Sequence, residues 1–93
     1  MYEVVMTRRF RRDTERAIKR GQDIAKLRAV IDLLRTGEPL PPKYRDHALA
    51  GDKKGLRDCH IAPDWVLLYI RRDNELVLVL LRTGTHRDVL GIE

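Results

Sequence analysis

Residues 65–82 read WVLLYIRRDNELVLVLLR and contain two apolar runs separated by a polar turn signal. The aromatic and β-branched residues of these runs predict strands at residues 65–71 and 76–82, joined by a hairpin turn at Asp73-Asn74. The second run is apolar at almost every position, which is typical of an inner strand with both faces covered. We therefore expect the second strand to be central in a sheet.

Two more strands are predicted outside this hairpin. Residues 56–61 precede it and end before Pro63, which cannot donate a hydrogen bond to a sheet ladder. At the N-terminus, residues 2–6 contain Val4-Val5 and predict a short opening strand. The four strands together predict a mostly antiparallel sheet.

Two helices are predicted between the opening strand and the rest of the sheet. Residues 8–20 form a very basic segment with a narrow apolar stripe, and Gly21 follows where a left-handed C-cap is required. Asp23 can cap a second helix that ends before Gly37 and Pro39. Its apolar face consists of Ile24, Leu27, Val30, Ile31 and Leu34. The short link predicts an antiparallel helical hairpin packed on one face of the sheet, an α+β fold.

The composition is that of one small basic domain spanning residues 1–93. Nineteen Lys and Arg residues against 14 Asp and Glu residues give a net charge of +5, which favours polyanionic partners. The longest apolar run is too short to cross a bilayer, and the N-terminus lacks a signal-peptide pattern. One cysteine, Cys59, excludes an internal disulfide framework and a four-cysteine zinc site. We therefore expect a cytoplasmic protein that makes no membrane contact and needs no metal to fold.

The chemistry-bearing residues fall in predicted loops and near strand ends. A long loop at residues 38–55 contains His47 among several basic residues, and loops of this length are often functional. His60 and Asp64 lie near the end of one strand, and His86 follows the last strand, where a short helical turn is expected. A pair of imidazoles can supply a general base and a general acid, which cleavage of RNA through its own 2′-hydroxyl requires.

Each of these residues also has a simpler interpretation. A single strand-end histidine is more often structural than catalytic, and the three histidines lack the short spacing usual in zinc sites. Trp65 is expected to be partly core, Cys59 a small buried side chain, and the basic helix a solvated face. From the residues alone, a nuclease site and a purely structural role both stay open.

Three segments of the chain nevertheless resemble a known family. LPPKYRDHAL at residues 40–49, CHIAPDW at 59–65 and LLRTGTH at 80–86 resemble the YafQ branch of the RelE-like toxins, in the family's order. Members of that family are bacterial toxin–antitoxin components that cut messenger RNA on the translating ribosome. The resemblance covers essentially the whole chain and implies two helices on a mostly antiparallel sheet, in agreement with the periodicity.

The resemblance also implies a set of site residues. His47, His60, Asp64 and His86 would be the acid/base and phosphate-facing groups, and no metal or cofactor is implied. Trp65 would shape or support the site and Arg82 would hold the scissile phosphate. Leu90 stands where the family often has a phenylalanine, and it offers no ring for stacking on a base. The expected RNA-facing set is Trp65, Arg82, Lys43, Arg45 and Leu90.

The function implied is that of a ribosome-dependent endoribonuclease toxin that cleaves translated mRNA without a metal. The implied partners are the 70S ribosome, mRNA and an antitoxin with an acidic segment, through which DNA would be contacted only indirectly. Two alternatives stay open: a non-catalytic toxin of the same fold that acts on DNA gyrase, and an RNA-binding accessory domain of the ribosome. Only the nuclease requires His47, His60, Asp64 and His86 together.

Overall fold

The computed structural model describes residues 1–91 and contains one five-stranded sheet. Its strands are β1 (Glu3–Met6), β2 (His47–Ala48), β3 (Arg57–Ala62), β4 (Trp65–Arg72) and β5 (Val77–Gly84). They lie in the order β1-β5-β4-β3-β2, with β1 parallel to β5 and the other pairs antiparallel. Residues 92–93 of the predicted domain lie outside the described part.

The predicted mostly antiparallel sheet is confirmed, but the predicted number of four strands is wrong. The fifth strand, β2, forms inside the long loop and pairs His47 with Asp58 and Ala48 with Arg57. Two residues are too few to produce a recognisable alternation in the sequence. This strand nevertheless fixes the loop that carries His47 to the edge of the sheet.

The β4–β5 hairpin is present, with a longer turn than Asp73-Asn74 alone would give. Residues 73–76 all belong to the turn, and Leu76 leaves the predicted strand with φ at +54° and 51% of its surface exposed. β5 is an inner strand between β1 and β4, as predicted. Its burial alternates, however, since Leu78 and Leu80 are buried while Val77 and Val79 are partly exposed. The helix-facing side is therefore the more deeply covered one.

The two predicted helices are α1 (Arg8–Lys19) and α2 (Ile24–Arg35). Thr7 Oγ1 accepts the Phe10 N–H at 3.0 Å and Asp23 Oδ1 accepts the Ala25 N–H at 3.1 Å, so both helices begin at side-chain caps. Gly21 has φ at +84°, the left-handed geometry expected after α1. No helix among residues 1–91 is long and apolar enough to cross a bilayer.

Hydrophobic residues pack on both faces of the sheet. Phe10, Leu27, Val30 and Leu34 from the helices join the sheet residues of the main core. Because neighbouring strand residues face opposite ways, Val66 and Leu68 lie on the other face, in a second cluster with Val89 of α3 (His86–Leu90). Leu49, Leu56, Leu81 and Leu90 pack against this second cluster. It therefore anchors the loop after His47 and the helix that begins at His86.

Candidate active site

A groove of about 710 Å³ lies beside the part of β3 that β2 does not cover. Its walls are residues 26 and 29 of α2, residues 43–45 of the long loop, residues 60–64 and His86. The volume is within the range of about 300–1,000 Å³ that is common for ligand sites. Predicted site residues from three separate segments therefore line one surface: His60, Asp64 and His86, with the basic loop residues Lys43 and Arg45.

Asp64 orients His86. One carboxylate oxygen, Oδ1, accepts the His86 backbone N–H at 3.0 Å and lies 2.8 Å from His86 Nδ1. These hydrogen bonds lower the pKa of Asp64, the backbone bond most strongly, so the carboxylate is ionised. Because a carboxylate only accepts, Nδ1 carries the proton of this contact and Nε2 is left for a ligand. Asp64 has φ at +53°, so the turn before β4 holds it in a left-handed conformation that aspartate tolerates.

His60 lies against His86 with the two rings edge to face and their centroids 4.8 Å apart. Burial, followed by repulsion from His86, lowers the pKa of His60 below the ordinary value of 6.5. The ring is therefore neutral at neutral pH and can accept a proton. Two imidazoles in one groove can supply the two groups that general acid–base catalysis needs, one to accept a proton and one to donate a proton.

His47 lies apart from this pair and does not line the groove. Its Nδ1 is 2.8 Å from the Arg45 carbonyl oxygen, and its Nε2 is 2.9 Å from Asp58 Oδ1. Asp58 is buried, and Oδ1 has no well-oriented hydrogen-bond donor among the described residues. Burial raises the pKa of Asp58, while His47, His60 and His86 act in the opposite direction. Asp58 thus couples His47 electrostatically to the other two histidines.

A partly buried polar cluster holds the loop just before His47. Asp46 accepts hydrogen bonds from the Tyr69 hydroxyl and from Arg57 Nη2, the latter at 3.0 Å. Tyr69 is fully buried on β4, and burial is the largest cause of its raised pKa, so the hydroxyl keeps its proton and donates it. The long loop is therefore anchored by polar contacts to β3 and β4 next to the groove.

Three of the predicted RNA-facing residues lie outside the groove. Trp65 is only 1% exposed and donates its indole N–H to Thr83 Oγ1, so it supports the site from inside and offers RNA no surface. Arg82 forms a two-pronged contact with buried Asp13, at 2.9 and 3.1 Å, which occupies the guanidinium expected to hold phosphate. Leu90 packs against the second cluster.

Several groove and supporting residues were missed in the sequence. Asp58 could have been found, since a carboxylate two residues before His60 in a predicted strand shares the strand face of that histidine. Lys26 and Ala29 gave no such signal, because their contact with the groove depends on how α2 packs. Tyr44 belonged to the family-like segment but carried no assigned role. Cys59 is fully buried and burial raises its thiol pKa, which fits the expected structural role.

No group of three or more His, Cys, Asp and Glu side chains within residues 1–91 is arranged to hold a metal ion. His60 and His86 share the groove, whereas both ring nitrogens of His47 face other groups. The three histidines therefore do not form a ligand set here.

Known proteins resemble the chain in both sequence and structure. The chain is 42% identical over 83 residues to the mRNA interferase toxin YafQ of Escherichia coli (strain K12), covering 88% of each chain. A copper-bound mutant toxin from Helicobacter pylori has a TM-score of 0.89 at 39% identity, covering 96% of this chain and 99% of that one. The E. coli DinJ-YafQ toxin–antitoxin complex contains a chain with a TM-score of 0.87 at 38% identity, covering 97% of this chain and 98% of that one.

The family described as bacterial toxin of type II toxin–antitoxin system, YafQ, matches residues 2–91. That match spans the three histidines, the helical hairpin and all five strands. The resemblance seen in the three sequence segments is thereby confirmed, and the chain belongs to the YafQ family of type II toxin–antitoxin toxins.

Proposed function

We propose that this mRNA interferase toxin cuts ribosome-bound mRNA by attack of a 2′-hydroxyl on the adjacent phosphate, with imidazoles moving the protons. The observation that carries the proposal is the pair His60 and His86, 4.8 Å apart in a groove, with one ring oriented by Asp64. The oxygen–phosphorus bond of the 5′-leaving group breaks as the 2′-oxygen–phosphorus bond forms. The products are a 2′,3′-cyclic phosphate and a 5′-hydroxyl.

The two histidines take different roles. His60 is the general base, because its lowered pKa leaves the ring neutral and able to accept the 2′-hydroxyl proton. His86 is the general acid: Asp64 holds Nδ1, so Nε2 is directed away from this contact and can donate to the leaving oxygen. The contact between His47 and Asp58 holds the long loop against β3.

Basic residues of the groove stabilise the phosphate. Lys26, Lys43 and Arg45 are exposed cationic side chains in or beside the space that the RNA would occupy. Cations close to the reacting phosphate offset the charge that develops in the transition state. Arg82 acts at a distance, by fixing the end of β5 through Asp13.

The remaining parts of the proposal concern the setting of the reaction. The groove is open and the protein is small, so orientation of the mRNA is expected to come from the ribosome. The E. coli YafQ structure with DinJ is a toxin–antitoxin complex. An antitoxin with an acidic segment would cover the basic groove of this chain, because its negative charges would complement Lys26, Lys43 and Arg45. The toxin would act as a single domain in the cytoplasm, where translating ribosomes are found.

The test is single-turnover cleavage of mRNA on saturating programmed ribosomes, with His86→Ala compared with the parent protein. Loss of a general acid should lower the rate by ~10²–10⁴-fold. Glu75→Ala, in the turn at the far end of the β4–β5 hairpin, is the control and should cleave at the parental rate. A His86→Ala variant that melts like the parent and cleaves at the parental rate would refute the mechanism. A parent that cleaves no ribosomal mRNA but inhibits DNA gyrase would favour the non-catalytic alternative.

A further inference from the structure

The aromatic residues of the chain are distributed unevenly with respect to the groove. The sequence has five aromatic residues. Phe10, Trp65 and Tyr69 are at most 2% exposed and belong to the main core. Tyr2 packs near the β4–β5 turn, where its hydroxyl donates to Asp73. Of these five residues, all in the described part of the chain, Tyr44 is the one that lines the groove.

Tyr44 is held rigidly in its position. It ends a short 3-10 turn, Pro42–Tyr44, that follows Pro41, so two fixed proline φ angles precede it. Its ring packs partly against the main core. The next residue, Arg45, has φ at +48°. Its backbone N–H donates a hydrogen bond to the Pro42 carbonyl oxygen at 3.0 Å, which closes the turn. A ring fixed in this way loses little conformational freedom when a ligand stacks on it.

The space in front of this ring suits a flat ligand attached to a phosphate. Ala29 of α2 also lines the groove and has a small side chain, and Lys26 lies on the same face of α2 one turn earlier. The Lys43 ammonium lies 5.0 Å from the Tyr44 ring centroid. Because Lys43 is exposed, it can yield the ring to a base and bind a phosphate oxygen instead.

We propose that Tyr44 is the stacking platform for one nucleobase next to the scissile phosphate, with Lys26 and Lys43 binding the flanking phosphates. The inference rests on the proposed function and adds a subsite to it. Leu90 has no aromatic ring and lies against the second cluster rather than in the groove, so Tyr44 would provide the stacking surface that Leu90 does not. The substrate RNA would thus be held by the long loop as well as by the histidines of the groove.

The experiment combines protein variants with altered mRNA on programmed ribosomes. Single-turnover cleavage is measured over a range of ribosome concentrations for the parent, Tyr44→Phe and Tyr44→Leu. The mRNA carries either normal nucleotides or one abasic ribonucleotide, placed on the 5′ or the 3′ side of the cleaved phosphate. Tyr2→Leu is the matched control, because Tyr2 is also a partly buried tyrosine on the main core but lies away from the groove.

On normal mRNA, Tyr44→Leu should lower the ratio of maximal rate to half-saturating concentration by roughly 5- to 150-fold, the range that base–aromatic stacking supplies. Tyr44→Phe keeps the ring and should cleave like the parent. On one of the two abasic mRNAs the difference between parent and Tyr44→Leu should disappear, because the stacking partner is already gone. Tyr2→Leu should cleave normal mRNA like the parent, with any loss confined to thermal stability.

Two results would overturn the subsite and leave the proposed function standing. One is parental cleavage by Tyr44→Leu while His86→Ala is inactive. The other is an equal loss for Tyr44→Leu on normal mRNA and on both abasic mRNAs, which would mean that Tyr44 supports the fold and contacts no base. A parent protein that leaves ribosome-bound mRNA intact would overturn the proposed function and the subsite together.

Discussion

Replacing Asp13 by alanine should destabilise the fold by about 4 kcal/mol. The Asp13 carboxylate is buried and accepts three N–H donors: Arg82 Nε at 2.9 Å, Arg82 Nη2 at 3.1 Å and the Thr83 backbone N–H at 3.1 Å. Removing one partner of a buried ion pair costs about 3–5 kcal/mol, and we take the lower end since Arg82 is 17% exposed and can recruit water. The orphaned Thr83 N–H adds about 1–2 kcal/mol.

The assay is urea and thermal unfolding followed by tryptophan fluorescence. The chain has one tryptophan, Trp65, and its indole N–H donates to Thr83, so the probe reports directly on the affected part of β5. A loss of about 4 kcal/mol in a domain of this size corresponds to a fall of roughly 15–30 °C in Tm. The urea m-value should stay constant if the unfolded state is unchanged. An Asp13→Ala variant that unfolds at the parental midpoint would refute the reasoning.

The double variant Asp13→Leu/Arg82→Leu separates the fold from the chemistry. Replacing both partners of a buried ion pair by apolar residues is often neutral or stabilising, so this variant should recover most of the lost stability. If Arg82 acts only through Asp13 and the end of β5, the double variant should also cleave mRNA near the parental rate. A stable double variant without cleavage would instead return Arg82 to the phosphate-binding role that the family resemblance implies.

Three further perturbations address the groove and its support. Asp64→Asn should reduce single-turnover cleavage at least ~10²-fold, because His86 loses the carboxylate that orients its ring and stabilises its doubly protonated, proton-donating form. Its unfolding midpoint should barely move, since the Asp64 side chain is 66% exposed. The acid limb of the pH–rate profile should have its midpoint below 6.5, because the base must be unprotonated and the pKa of His60 is lowered; a midpoint above 6.5 would contradict His60 as the base. Tyr69→Phe removes the hydroxyl that donates to Asp46 and should cost about 1–3 kcal/mol in urea unfolding, with faster proteolysis of the long loop than in the parent.

Local sequence signals were sufficient for most of the fold. The end of α1 and the start of α2 could be predicted because Gly21 and Asp23 act within one turn of the chain. The strands of the central hairpin could be predicted because their composition is unambiguous over seven or eight residues. The family segments then identified the fold as a whole. These features depend on neighbours in the chain, which a sequence displays directly.

The structural details that the sequence did not show depend on distant contacts or on small irregularities of the strands. A bulge at Leu81 inserts one residue into β5, so Arg82 pairs with Leu68 and Leu80 pairs with Tyr69. Because of this shift, Thr83 rather than Arg82 becomes buried, and Arg82 is left at the strand edge facing Asp13 of α1. Regular alternation gives no warning of a bulge. The bulge therefore directs the guanidinium of Arg82, which the sequence suggested for phosphate binding, toward Asp13.

The contacts of the His47 ring distinguish it from His60 as a candidate general base. Its Nδ1 faces the Arg45 carbonyl and its Nε2 faces Asp58, and both partners are acceptors when Asp58 is ionised. A neutral imidazole has only one N–H, so satisfying both contacts requires a second proton between His47 Nε2 and Asp58 Oδ1. Burial raises the pKa of Asp58, which favours keeping that proton in the pair. Both ring nitrogens of His47 therefore face other groups outside the groove, whereas the ring of His60 lines it. In the proposed mechanism these contacts favour His60 over His47 as the general base, and His47 with Asp58 holds the loop at the edge of the sheet.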